Sequence, residues 1–185
     1  TKDEAGFTIK YREDPLFLDP RNKYLGARLI INLEKLYLSL KKLELYDADI
    51  NEYYSLSHKL GIVPKNLNQL QNKAFGIECN YDELNGIDFK KGCYVGQENT
   101  ARIKLKNKLS KRLLPIEIIN GKLSEDEKIY SNEVEIGKVL INDEHPFALI
   151  KFLDKNFDKK EIFKSKNGTF KILIPEWLKI WVFGA

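Results

Sequence analysis

The period of apolar positions changes several times along this 185-residue chain. In the opening stretch "GFTIKYREDPLFLDPRNKYLGARLIIN", short apolar runs are broken by Pro15, Pro20 and Gly26, which predicts strand, turn, strand, with "ARLIIN" a buried strand. Leu33, Leu36, Leu40 and Leu43 then recur at helical spacing. The following "DADINEYYSLSHKLGI" opens with an Asp49-x-x-Glu52 capping box and stops at Gly61. Two helices are expected, with Ile50, Tyr53, Tyr54 and Leu60 as core candidates in the second. From Gly61 to Gly92 the period fades and Asn, Gly and Asp accumulate, which describes a long ordered loop, the kind of segment on which function concentrates.

The texture changes again at "TARIKLKNKL". Strict alternation sets Ile103, Leu105 and Leu109 on one face and Arg102, Lys104, Lys106 and Lys108 on the other, predicting a half-buried strand. Beyond it "KRLLPIEII", "KIYSNEVEIGKVLI", "PFALIKFL" and "TFKILIP" read as short strands separated by "NGKLSEDE", "NDEH" and "KSKNG". They predict a small barrel or sandwich from residue 111 onward. The fold class is therefore α+β, ending in that small barrel or sandwich.

Composition narrows the picture. With 43% hydrophobic and 31% charged residues the chain fits a soluble globular protein able to bury a core. No apolar run approaches the roughly 20 residues that cross a bilayer, and the first residues lack the layout of a secretory signal, so an intracellular protein is expected. Two cysteines, Cys79 and Cys93, make no disulfide framework. A closed zinc site would need both of them with His58 and His145, and a structural metal is discounted. Methionine is absent throughout, which suggests a fragment or a processed chain. Six basic residues and no acid lie between Asn99 and Ile116, and taking those six from the net +4 leaves −2 elsewhere. The positive character is one local feature rather than a general coat for nucleic acid or membrane.

The chemistry-bearing stretch is "KKGCYVGQE". Gly92 and Gly96 permit positive φ and leave room for a close approach, while Lys90 and Lys91 favour a thiolate at Cys93 wherever they lie near it. From the residues alone Cys93 is either a reactive or ligand-binding thiol or a small buried hydrophobe beside two turn glycines.

"KGCYVGQE", Lys91 to Glu98, resembles the Lys-Gly-Cys-Tyr-x-Gly-Gln-Glu signature of the YgfZ family of folate-binding proteins, relatives of the glycine-cleavage T-protein. All seven specified positions match. "DPRNKYLGAR" resembles the family's Asp-Pro-Arg and Gly-x-Arg element, "HKLGIVP" its Gly-Ile-Pro turn, and "IECNYDELNGIDF" its run into the signature. "EIGKVLIN" with "PFALIKFL" resembles its carboxy-terminal barrel. The chain departs from the family's usual residues at Ser57, Gly76 and Cys79. Family members begin with about a small domain's worth of further chain, so the first part of the folate-binding fold is expected to be missing here.

The resemblance implies residues 1–110 as the later part of a T-protein-like (GcvT-like) folate-binding domain and 111–185 as a small carboxy-terminal barrel. It implies a protein that binds tetrahydrofolate or a derivative and supports assembly, maturation or repair of iron–sulfur proteins, [4Fe–4S] proteins especially, and through them tRNA modification. A conventional turnover reaction is not part of that implication. Cys93 becomes the functional thiol, either through thiolate chemistry or by transient contact with cluster iron, since thiolate is the preferred iron–sulfur ligand. Glu78 is the implied folate carboxylate, accepting the amino and ring N–H of a pterin together. Lys91, Gly92, Tyr94, Gly96, Gln97 and Glu98 are carried over from the motif, and Arg102 from the resembling stretch that runs on through "NTAR", as cofactor-binding positions; an equal reading of Gln97 and Glu98 is that they hold the loop by bonding backbone groups. Partners are iron–sulfur assembly or client proteins. The Lys-, Asn- and Ile-rich text points to a bacterial cytoplasm; were the host eukaryotic, the mitochondrial matrix is the expected place.

Two other classes compete. An aminomethyl or one-carbon transferase shares the fold but needs no thiol at Cys93. An RNA-binding module would use the basic ladder, yet no aromatic interleaves Arg102 to Arg112 to stack on bases. The ladder reads first as a solvated strand face, then as an attractor for the anionic tail of folate.

Overall fold

In the computed structural model the described residues are 7–93, 95–105, 109–131, 133–151 and 162–178. They form two compact units, residues 1–56 and 57–185.

The first unit begins with a three-stranded antiparallel sheet in the order β1 (Thr8–Tyr11), β2 (Asp14–Leu18), β3 (Ala27–Leu29). The β1–β2 turn places Arg12 and Glu13 at φ 49° and 72°, the left-handed pair that a two-residue hairpin requires. The β2–β3 loop is closed by an Asp19 N–H to Gly26 carbonyl bond of 2.9 Å and by Asn22, whose side chain caps the short 3-10 turn Lys23–Leu25. Inside that loop Asp19 is only 2% exposed. Its Oδ1 accepts the backbone N–H and the Nε–H of Arg21, and its Oδ2 accepts Arg21 Nη2 and Arg28 Nε. Burial alone would raise this carboxyl's pKa, but the hydrogen bonds from Arg21 and Arg28 outweigh it and hold it at about 2.

Helices α1 (Leu33–Lys42) and α2 (Ile50–Lys59) form where the leucine spacing and the capping residues predict them. Asn32 accepts the Glu34 N–H, and Asp49 accepts the Asn51 N–H. Helix α2 ends in a Schellman turn: Ile62 N–H reaches the Ser57 carbonyl across Gly61, which lies at φ 70°.

Two burial expectations are overturned in this unit. "ARLIIN" yields only the three-residue β3, with Ala27 and Arg28 exposed and Ile30 exposed beyond it. Ile50 is 58% exposed and Leu33 81% exposed, while Tyr53, Tyr54 and Leu60 are half-buried. The physical reason is that no other described residues cover these faces, and neither of the two hydrophobic clusters includes a residue of this unit.

The second unit carries the core. Its six strands, β4 (Lys111–Gly121), β5 (Lys128–Ser131), β6 (Val134–Ile141), β7 (Phe147–Lys151), β8 (Phe163–Ser165) and β9 (Gly168–Ile172), close into a barrel in the order β4-β7-β6-β5-β8-β9. The barrel begins where the sequence places it. Strand β8 was not foreseen, because three residues beside the "KSKNG" turn are too few to show a period.

Alternation along the strands divides the side chains between two clusters. Leu114, Ile116, Val139, Ala148 and Ile150 point inward with Ile129, Phe163 and Phe170. Their neighbours Leu113, Leu140, Phe147 and Leu149 point outward into a second cluster with Leu70 and Cys79. Strands β4, β6 and β7 are thus buried on both faces, and the long loop packs outside the barrel. Residues after β9 also lie down on this unit: Trp177 donates its indole N–H to the Leu60 carbonyl at 2.6 Å, and Leu178 joins the inner core. No helix among the described residues is long and apolar enough to cross a membrane.

The expected strand over "TARIKLKNKL" is overturned. Gln97–Leu105 is a helix, α3, and Lys106 and Lys108 lie outside the described residues. An alternation of a few residues is also compatible with a helix, and here Ala101, Arg102, Lys104 and Leu105 are helix formers rather than β-branched. The Thr100 N–H closes the first turn on the Gly96 carbonyl at 3.3 Å, and Glu98 pairs with Arg102 one turn on at 3.1 Å.

Candidate functional site

The loop that leads to the cysteine is built from asparagines. Asn66, Asn72, Asn80 and Asn85 all adopt positive φ, between 58° and 64°, so each reverses the chain in a left-handed residue that Asn tolerates better than most. Between Phe75 and Gly86 successive turns follow, among them Cys79 N–H to Phe75 carbonyl, Tyr81 N–H to Gly76 carbonyl and Gly86 N–H to Tyr81 carbonyl. This coil is fastened to the start of β4 by Leu113 N–H to the Glu78 carbonyl at 2.8 Å and Asn80 Nδ2 to the Leu113 carbonyl at 2.8 Å. Arg112 adds bonds to Asn80 Oδ1 and Glu83. A loop rich in Asn is therefore rigid by construction, on a scaffold whose outer cluster holds Cys79 and Leu70.

Helix α3 is fastened to the same loop. Lys104 reaches Asp82 at 2.8 Å and lies over the Phe89 ring at 3.7 Å from its centroid, so one ammonium joins the helix to both ends of segment 82–89. Between these anchors the signature emerges into solvent. Lys91, Gly92, Cys93, Val95 and Gly96 are all exposed. Gly96 has φ 88°, and neither Gly92 nor Gly96 has a heavy atom within reach of an added Cβ, so open space adjoins the backbone on both sides of the thiol.

The two cysteines differ in kind. Cys79 is buried, and that burial, reinforced by Glu78, pushes its thiol up to about 12, which makes it an inert member of the core. Cys93 is exposed on the open loop. Of the two readings of Cys93, the buried hydrophobe is excluded by its position.

The other expected site residues divide. Glu98 and Arg102 are exposed partners of one helical ion pair. Gln97 is the half-buried first residue of α3. Tyr94 lies outside the described residues. Glu78 is half-buried in the preceding coil, where its Oε2 accepts the Phe75 N–H at 2.9 Å; Oε1 makes no hydrogen bond among the described residues. One oxygen thus braces the loop, and the other is available to a donor. Among the described residues no hydrogen bond or ion pair joins Glu78 to Cys93, Glu98 or Arg102, and the thiol stands on an exposed loop.

Sequence reasoning gave no site role to Asp19, Arg21 and Arg28, which "DPRNKYLGAR" carries, and expected Tyr53 only in the core. The signal was an Asp-x-Arg in a turn followed by an isolated strand arginine, and only the fold brings Tyr53 to meet them. The His58 and His145 rings, 5.6 Å apart, were likewise considered only as metal ligands. His58 instead bonds the Pro146 carbonyl through Nε2 at 3.0 Å and meets Phe147 edge-on.

No family model matches the chain. It is similar to proteins called "iron-sulfur cluster assembly factor IBA57 homolog, mitochondrial". The Dictyostelium discoideum protein is 32% identical over 102 residues, 55% of this chain and 25% of the relative. The Neurospora crassa protein is 34% identical over 134 residues, 64% of this chain and 29% of the relative. The Yarrowia lipolytica protein is 32% identical over 105 residues, 56% of this chain and 21% of the relative. The chain spans between a fifth and a third of the length of these curated relatives.

Proposed function

We propose that this chain serves the assembly or repair of iron–sulfur clusters, [4Fe–4S] clusters in particular, with Cys93 as the thiol that meets the cluster. The single observation that carries the reading is the display of Cys93 on an open loop between Gly92 and Gly96, anchored on both sides, in a chain similar to named assembly factors. A deprotonated thiol is a strong ligand for cluster iron, and one cysteine cannot hold a cluster by itself. The cluster is therefore cargo. Cys93 ligates one iron while a partner supplies the remaining ligands, and ligand exchange then releases the cluster to the partner or client. Effects on tRNA modification follow through cluster-dependent enzymes.

Within the same reading the chain is of the YgfZ type, residues 1–110 form the later part of a T-protein-like folate-binding domain, and the protein acts in the mitochondrial matrix of a eukaryotic host. Tetrahydrofolate is the proposed ligand, with the open Oε1 of Glu78 as an acceptor for pterin N–H groups. What argues for folate is the signature resemblance together with that one free carboxylate oxygen.

Removing the protein from its host and restoring it tests the function. Loss should lower the activity of [4Fe–4S] enzymes and re-expression should restore it. Unchanged enzyme activity after loss would defeat the proposal.

A further inference from the structure

The first unit contains a second charged cluster, remote in sequence from the cysteine loop and unused by the function proposed above. Two guanidiniums, Arg21 and Arg28, converge on the single carboxylate of Asp19. That carboxylate is saturated: it takes four hydrogen bonds and its side chain is 1% exposed. The arginine side chains are not so enclosed, at 31% and 48% exposed. Among the described residues one positive charge of the cluster remains uncompensated, and both guanidiniums are partly open to water.

The donors are in surplus as well. A guanidinium carries five N–H groups. Arg21 uses Nε and Nη2, and Arg28 uses Nε and Nη2, on Asp19 and Tyr53. Neither Nη1 has a partner among the described residues. Tyr53 accepts at its hydroxyl oxygen from both arginines, at 2.8 and 3.2 Å, so its own O–H hydrogen is directed away from them. The cluster therefore offers two guanidinium edges and one hydroxyl, all donors, without an acceptor to match among the described residues.

The geometry is also fixed in advance. The Asp19 to Gly26 backbone bond and the Asn22 cap close the loop that carries Arg21, and pairing with Phe17 of β2 sets the register of Arg28 in β3. Asp19 then holds both guanidinium planes, and such preorganisation lowers the entropy lost on binding.

We propose that Arg21, Arg28 and Tyr53 form an oxyanion-binding site, with Asp19 as its internal brace, for a carboxylate or phosphate group. Both anions present the planar or tetrahedral oxygens that paired guanidiniums recognise. Arg21 and Arg28 contact the anion through Nη1, and Tyr53 contacts it through its hydroxyl hydrogen.

The test titrates the 185-residue chain with inorganic phosphate and, separately, with glutarate, at constant ionic strength held with chloride, following the arginine Nε–H resonances by NMR. Saturable shifts of Arg21 and Arg28 are expected with one or both probes, and the tighter of the two identifies the oxyanion. Arg28→Gln should weaken binding about tenfold or more, the loss of a charge-assisted contact. Tyr53→Phe, which leaves every Asp19 ion pair in place, should weaken it several-fold. Absence of saturable shifts with both probes in the wild-type chain overturns the site, as does equal affinity in Arg28→Gln or Tyr53→Phe.

Discussion

Cys79 and Cys93 are the same residue type in opposite surroundings, and that contrast is measurable. Iodoacetamide should alkylate Cys93 in the native chain, while Cys79, buried and with its thiol pushed up to about 12, should react only after unfolding. Mass spectrometry of tryptic peptides reads both, and equal labelling rates would contradict the assignment. Gly61 makes a second residue-level case. It lies at φ 70°, and an added Cβ would run into the Pro175 ring, so Gly61→Ala should cost about 2 kcal/mol or more in urea unfolding. The sequence showed Gly61 as a helix stop. It did not show the Pro175 contact, because a pairing across more than a hundred residues has no local period.

Among the elements, the helices and most barrel strands were legible because capping residues and alternation are local signals. Helix α3 was not. The six of its nine residues that fall in "TARIKL" alternate as a strand would, and the helix is stabilised by neighbours that the pattern omits: the Gly96 carbonyl, Glu98 with Arg102, and Lys104 on Asp82 and Phe89. The Asn-rich coil was legible as an ordered loop, but what fastens it was not, since that depends on β4. Asn80 combines both functions, with φ 64° and a side-chain bond to the Leu113 carbonyl. Asn80→Ala should destabilise the chain by about 2 to 3 kcal/mol, adding the strain of positive φ to a buried carbonyl left unpaired. Asn80→Gly relieves the strain and should recover part of that loss. Equal stability of the two variants would show that backbone conformation is not a component.

For the whole molecule, stability should fall in acid in two stages. Burial is the main cause lowering the His58 pKa below its ordinary 6.5; the nearby His145 adds to this, while the Pro146 hydrogen bond, Asp143 and Glu117 oppose it. The unfolded chain therefore takes up that proton more readily. Stability is complete above pH 6.5 and declines as pH drops below it, and His58→Gln should flatten this slope in urea titrations between pH about 7.5 and about 5.5. Asp19, held at about 2 against its ordinary 3.8, adds stability that is complete above pH 3.8 and is lost as pH falls towards 2. A stability flat from neutral to mildly acid pH would contradict the burial of His58. At this scale the signature was legible as a motif, whereas the grouping of Asp19, Arg21, Arg28 and Tyr53 was not, since their spacing of up to 34 residues has meaning only once α2 and the β2–β3 loop are folded.

The central claim is that the displayed thiol, not merely a folded chain, serves cluster assembly. The most direct measurement compares Cys93→Ser with Cys79→Ser in the host, reading the activity of a [4Fe–4S] enzyme normalised to the amount of variant protein. The account predicts activity near that of the knockout for Cys93→Ser and near wild type for Cys79→Ser. Wild-type activity in Cys93→Ser would contradict it.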